Sequence, residues 1–332
     1  SIFIIVNFLV AFLILTDSDP RGKAYRKFLL LLQISSMLFD AFSNAYAPIV
    51  QINCRLIYST SSLAKCIGMS LFLGIEFAIF CQVVNSYFAC VYHRRNNILP
   101  SGRRFRYFGW RKALLLISIQ LCGWFVCATC FALLQDYSSE EVMNSALQWV
   151  TGKTTYLVIS QKPTIYAAIG VTLGWAAVMA CLIAAMISEL LLEIKNGMVH
   201  ASVATKKYHI RAVFSLVFQG LVPALVYILP ICCEILIFLY AVLVGYEVCT
   251  NNAAASTISA ILFSLIFTHT FAHSITVLAC APPYRQKMAS LAFRIIYCSN
   301  SEATPNNSFT STQKSLIDQS RVQFGPRAVI RG

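Results

Sequence analysis

The 332-residue chain is 58% apolar and only 12% charged, with a formal net charge of +13. A soluble domain is about 45 to 50% apolar, so this chain cannot cover itself with its own polar surface, and lipid is its outer solvent. Its 26 lysines and arginines fall between apolar runs instead of clustering on one polar face, which excludes a nucleic-acid partner. Most of the 13 cysteines sit inside apolar runs as small hydrophobes and define no disulfide scaffold.

The first apolar run, residues 1–16, is shorter than the roughly 20 residues a spanning helix needs and begins without methionine, so a first helix cut short is expected. A cleaved signal peptide would need a basic leader and a small-residue cleavage site, and the sequence offers neither. Pro20 and Gly22 then break the polar turn 17–27, whose Arg21, Lys23, Arg26 and Lys27 are basic. Span two is 28–50 and contains Asp40. Span three, 66–92, is about 40 Å long at 1.5 Å per residue, enough to cross a hydrocarbon core of about 30 Å. It carries Glu76 near its middle and passes into the basic loop opened by His93-Arg94-Arg95.

Span four is 113–134, and the loop 135–165 after it has balanced charge. Span five, 166–192, ends at Lys195, Lys206, Lys207 and Arg211. Span six, 212–244, holds Pro223 and Pro230, each a kink in a spanning helix. Span seven, 253–281, stops at Pro282-Pro283-Tyr284-Arg285. Four segments, after spans one, three, five and seven, carry 22 of the 26 basic residues, leaving Arg55, Lys65, Lys153 and Lys162 on the other side. Positive charge marks the inner side, so the N-terminus is outside and the C-terminus inside. The expected fold is an all-α membrane protein, a seven-transmembrane helix bundle with a short amphipathic helix after span seven. In that helix Met288, Leu291, Ala292, Ile295 and Ile296 share one face that lies on membrane lipids. Residues 1–298 form the membrane domain, Cys298 is a palmitoylation candidate, and 299–332, rich in Ser, Thr, Asn and Gln, is expected to be a disordered cytoplasmic tail.

Asp40 and Glu76 lie at matching depth near mid-membrane, where an ionisable group is expensive and generally functional. They point to a polar core or ligand pocket; the plainer alternative is a carboxyl satisfied by Ser35, Ser36, Asn44 or Ser70. Glu234, in the outer part of span six, is close enough to the headgroups to snorkel. His269 and His273 stand four apart on one helix face, a spacing that suits two zinc ligands and suggests a membrane metallohydrolase as an alternative. No other histidine lies inside a span, so packing or hydrogen bonding is expected of both and no metal is assigned. No span holds a lysine for a retinal Schiff base, and no phosphate loop, serine elbow or clustered carboxylate pair occurs. No cofactor and no catalytic residue are therefore expected.

Ala24-Tyr25-Arg26-Lys27-Phe28-Leu29-Leu30 with Gln33 and Asp40, the 219–230 segment with its two prolines, and His273-Ser274 followed by Pro282-Pro283-Tyr284-Arg285 resemble the nematode serpentine chemoreceptors, nearest the Srh and Sri groups of the Str superfamily. The resemblance implies a G-protein-coupled receptor in the plasma membrane of a chemosensory cilium, binding a small environmental molecule and signalling through a heterotrimeric G protein. Many receptors of this architecture tie the third helix to the second outer loop by a disulfide. Residues 135–165 contain no cysteine, so Cys66 stays free or pairs with Cys54 or Cys249.

By position, Arg94 and Arg95 are expected to serve coupling, with Glu189 as a resting-state partner. Arg103, Arg104 and Arg106, farther from the helix, are expected to matter little. Ligand would enter among the outer ends of spans three, five, six and seven and displace span six. The rival is a seven-helix ligand-gated channel with its N-terminus inside, against which the charge distribution argues; a transporter would show an inverted repeat.

Overall fold

In the computed structural model of the chain, the described residues are 2–16, 23–51, 56–99, 106–107, 109–135, 155–158, 163–196, 202–243, 253–266, 268–280 and 284–290. The helices are α1 (Ile2–Thr16), α2 (Lys23–Tyr46), α3 (Met69–Ile98), α4 (Gly109–Gln135), α5 (Pro163–Asn196), α6 (Val203–Leu243), α7 (Ala253–Ile266) and α8 (His269–Cys280). Five of them, α2 to α6, are long and apolar enough to cross a membrane, and α1 is a shorter apolar helix. The seventh apolar run forms α7 and α8. At their junction the Thr268 amide and hydroxyl both turn back to the Leu265 carbonyl, at 2.9 and 2.8 Å, the local bonding by which threonine competes with a helix.

The chain divides into two units, Ser1–Tyr284 and Arg285–Gly332. In the first, α3 is central and packs on α2, α4, α5 and α6, while α1 and α8 close the ring against α2 and α6. Polarity is inverted relative to a soluble protein. Phe125, Leu121, Ile117 and Leu114 of α4 are exposed, whereas Gln33, Ser43, Asn85, Ser86 and Gln219 are buried. Lipid covers the first set and the bundle satisfies the second. A helix over Tyr284–Ser290 follows α8. Of the amphipathic face expected there, only Met288 is described, and Cys298 and the tail lie outside the described residues.

Several boundaries differ from the sequence expectation. Span two stops at Tyr46, because Pro48 cannot continue a helix and Ala47 takes a left-handed φ of 49°. Ile49 and Val50 instead open a strand. Span three starts at Met69 and continues through His93-Arg94-Arg95 to Ile98, since nothing breaks it before Leu99 and Pro100, and cations suit a helix C-terminus. Those three residues are helical, not loop. In the same way α6 begins at Val203, before the apolar run.

The end of the bundle opposite the basic segments carries a feature that hydropathy does not reveal, a small antiparallel sheet. Its strands are β1 (Ile49–Gln51), β2 (Leu56–Ser59) and β3 (Thr155–Val158), in that order, with Ile57 facing Leu157 and Tyr58 facing Tyr156. The β3 strand belongs to the loop between α4 and α5, so backbone hydrogen bonds tie that loop to the segment preceding α3. Below the sheet the Tyr46 ring stacks on Phe72 at 3.8 Å, and its hydroxyl donates to the Ile67 carbonyl at 3.1 Å, fixing the start of α3. Ser59 donates to the Tyr46 carbonyl.

The expected orientation is testable on cells. An epitope inserted at Ser145 should stain without permeabilisation and one fused after Gly332 only with it; the opposite pattern would place the basic ends outside.

Candidate functional site

Two polar assemblies lie inside the bundle. The first runs along one face of α2, where Gln33, Ser36, Asp40 and Ser43 recur at helical spacing. Toward the sheet end of α2 and α3, the Ser43 hydroxyl donates to Glu76 Oε1 at 2.7 Å. Asp40 turns instead to α8: its Oδ1 lies 2.9 Å from His269 Nδ1. That nitrogen also faces the Ile266 carbonyl at 3.0 Å. A single N–H cannot point at both, and Asp40 Oδ1 is left without a hydrogen-bond donor among the described residues. The two acids thus share a level and a supporting helix, but neither is the partner of the other.

One to two turns further along α2, the partners form a chain whose proton positions can be deduced. Ser274 donates to Asn7 Oδ1 of α1 at 2.7 Å, so its oxygen accepts from Gln33 Nε2, 2.9 Å away. Gln33 therefore presents Oε1 to His273, whose Nδ1 must be the donor at 3.0 Å. Between these levels Thr270 donates to the Ser36 carbonyl at 2.9 Å. Asn7, Gln33, Ser36, Thr270 and Ser274 were not selected as site residues from the sequence. The signal available for Asn7 and Gln33 was a lone amide inside an apolar helix, which needs a partner wherever it is buried.

Each histidine of the pair has protein groups of its own beside Nδ1. Although they lie on one face, His269 Nδ1 lies near both Asp40 and the Ile266 carbonyl, whereas His273 Nδ1 donates to Gln33. Among the described residues no group of three or more His, Cys, Asp or Glu is arranged to hold a metal ion. Glu234 lies on α6 with its side chain outside the described residues, as do Pro282 and Pro283; Tyr284 is buried and Arg285 exposed. Cys66 is an exposed free thiol, and Cys54 and Cys249 lie outside the described residues.

The second assembly is at the basic end. Arg95 Nε donates to Glu189 Oε2 of α5 at 2.6 Å, the arginine side chain 5% and the glutamate 37% exposed. The pairing entertained from the sequence is present. Arg94 points the other way, its guanidinium 4.0 Å above the Tyr25 ring of α2, a cation–π contact. Lys112 of α4 donates to His93 Nδ1 at 2.8 Å. Arg106 is not remote from the helix: its Nε donates to the Asn96 carbonyl at 3.1 Å, and Asn96 holds the Tyr107 carbonyl at 2.9 Å. It pins the returning loop onto α3 and is no neutral comparison. Arg103 and Arg104 lie outside the described residues.

A multi-helix apolar bundle with polar groups buried between its helices defines an integral, multi-pass membrane protein. The profile of the family described as serpentine type 7TM GPCR chemoreceptor Srh matches residues 1–294. The chain belongs to this family of serpentine chemoreceptors, and it is a receptor, not an enzyme. No curated protein matches it.

The α1/α2/α8 chain of hydrogen bonds makes a stability prediction. Gln33→Leu would strand the His273 and Ser274 groups it serves, costing about 2 kcal/mol or more. Thr276→Val, which removes only a bond to the Ala272 carbonyl one turn away, should be nearly neutral. Monodisperse protein surviving a heat step in detergent measures both; equal survival would refute the network's contribution.

Proposed function

We propose that the protein is a chemosensory receptor that binds a small environmental molecule in its outer half and signals to a heterotrimeric G protein from its basic end, in a sensory neuron's ciliary membrane. Membership of the serpentine chemoreceptor family carries the proposal, and the two polar assemblies suit its two ends. Next in sequence to Asp40 and Glu76, Phe39 and Phe77 belong to an aromatic group: Phe39 is 5.2 Å from the His269 ring and 6.4 Å from Phe80, and Phe77 is 6.5 Å from Trp175. An apolar, aromatic lining with few convergent polar groups is the usual character of a small-molecule site.

At the inner end the Arg95–Glu189 pair joins α3 to α5 and belongs to the resting state. Releasing it frees a buried arginine at the surface a G protein would meet. Because Glu189 is more than one third exposed, solvent screens the pair, and its contribution is about 1 kcal/mol or less.

Two experiments in cells with calcium and cyclic-nucleotide reporters test the proposal, using an odorant panel to find the activating compound. Arg95→Ala should abolish most ligand-driven signalling at unchanged surface level, whereas Glu189→Gln should raise basal output by up to about fivefold. A wild-type response from both would remove the pair from coupling. Separately, Asp40→Asn and Glu76→Gln should alter signalling more than surface expression, and parallel loss of the two readouts would make both acids structural only.

A further inference from the structure

The α3–α6 contact is built on a glycine. A Cβ placed on Gly220 would lie 2.0 Å from the Tyr87 hydroxyl oxygen, 2.1 Å from Cζ and 2.7 Å from Cε1. No side chain fits that gap, so the phenol of α3 rests directly on the α6 backbone. There its hydroxyl donates to the Leu216 carbonyl at 2.9 Å. Leu216 is one turn before Gly220, so the phenol bonds the carbonyl edging the strip that the glycine leaves bare. Around it Leu216, Cys90, Val91 and Leu32 are buried in one cluster that also packs on Tyr87, leaving the ring little room to withdraw.

Three features make this contact more than packing. Tyr87 lies two turns from Arg95 on α3, so it is held on the helix that carries the Glu189 pair. Gln219, next to Gly220, faces α2, with its Oε1 3.4 Å from the Tyr25 hydroxyl, and Tyr25 also carries Arg94. Pro223 follows three residues later and lacks the N–H that would bond the Gln219 carbonyl, which places a pliant point of α6 one turn beyond the contact. A movement of the inner part of α6 away from α3 must therefore break the Tyr87–Leu216 bond and uncover the bare strip of α6.

We propose that Tyr87 and Gly220 form a latch that holds the inner segment of α6 against α3 and sets the resting state of the receptor. The latch concerns the regulation of the coupling end and rests on the receptor reading above. Gly220→Ala puts a Cβ 2.0 Å from the Tyr87 hydroxyl oxygen, and because the ring is packed in that cluster the clash is relieved by parting the two helices, by up to about 1.5 Å, an outward wedge at the pliant point. Tyr87→Phe introduces no clash and removes the hydroxyl bond alone.

The test uses the full chain in lipid nanodiscs, with spin labels on unnatural keto residues replacing the exposed Asn97 and Arg211, so that the native thiols are untouched. Basal reporter output at matched surface level is measured in parallel. Gly220→Ala should lengthen the label separation and raise basal signalling above that of Tyr87→Phe, which should itself rise about two- to tenfold. The double variant Tyr87→Ala/Gly220→Ala should equal Tyr87→Ala alone, because the wedge then has nothing to press on. A lengthened separation with silent reporters would support the latch and count against the signalling function. An unchanged separation in Gly220→Ala, or effects of the two positions that simply add, would overturn the latch. Should Gly220→Ala fail to reach the membrane, Tyr87→Phe decides, and wild-type behaviour in both readouts overturns the proposal.

Discussion

Inside a bilayer a hydrogen-bonding group has no water to turn to, so every amide, hydroxyl and carboxyl that the sequence places in a spanning helix must find a partner in another helix or in its own backbone. In this chain the burden falls on α2, whose face carries Gln33, Ser36, Asp40 and Ser43. Each meets a different neighbour: Gln33 bonds α8 and, through Ser274, reaches α1; Ser36 accepts from α8; Asp40 faces His269; Ser43 bonds Glu76 of α3. Because α2 and α8 run antiparallel, the partners appear in reverse order along α8. A rotation of α2 by one residue would break all of them together. The seam therefore fixes register in a way that apolar packing, which tolerates exchange of similar volumes, does not.

The same scarcity explains the opposite end. Residues 135–165 have no cysteine, so a disulfide cannot hold that loop to α3. Strand β3 joins β2 instead, and main-chain bonds perform the tethering. Such a tether needs no particular side chain, only extended backbone and a register. Its register sets Tyr156 against Tyr58 and Leu157 against Ile57.

The apolar runs that became α2 to α6 were legible because length and apolarity determine whether a segment can cross a membrane. Helix ends were less so. Hydropathy reports where lipid stops, whereas α3 continues to Ile98 and α6 begins at Val203 because helix propensity and packing do not stop with it. The sheet was invisible because three- and four-residue strands have no periodicity long enough to register. Asp40, Glu76 and the histidines stood out as ionisable groups in apolar runs, but the pairing of Asp40 with His269, and of Glu76 with Ser43, depends on helix rotation, which one sequence does not encode in its spacing. Tyr87 and Gly220 were missed altogether. A glycine in a long apolar helix is compatible with any close approach, and only the position of the facing phenol identifies the purpose.

The energies at the inner end suit a protein that must change state. The Arg95–Glu189 pair is partly solvated and contributes about 1 kcal/mol or less, and one hydroxyl-to-carbonyl bond from Tyr87 about 1 kcal/mol. A ligand of micromolar affinity releases about 8 kcal/mol on binding, and only the part that differs between two states can shift them. In the proposed receptor, contacts of this size would let a modest differential shift the two states. The outer seam behaves differently, since its groups are buried and mutually dependent, and breaking one strands the next. Polar registry is concentrated around α2, whereas the polar contacts that α3 makes with α5 and α6 at the basic end are single bonds of small energy, with Pro223 and Pro230 further along α6.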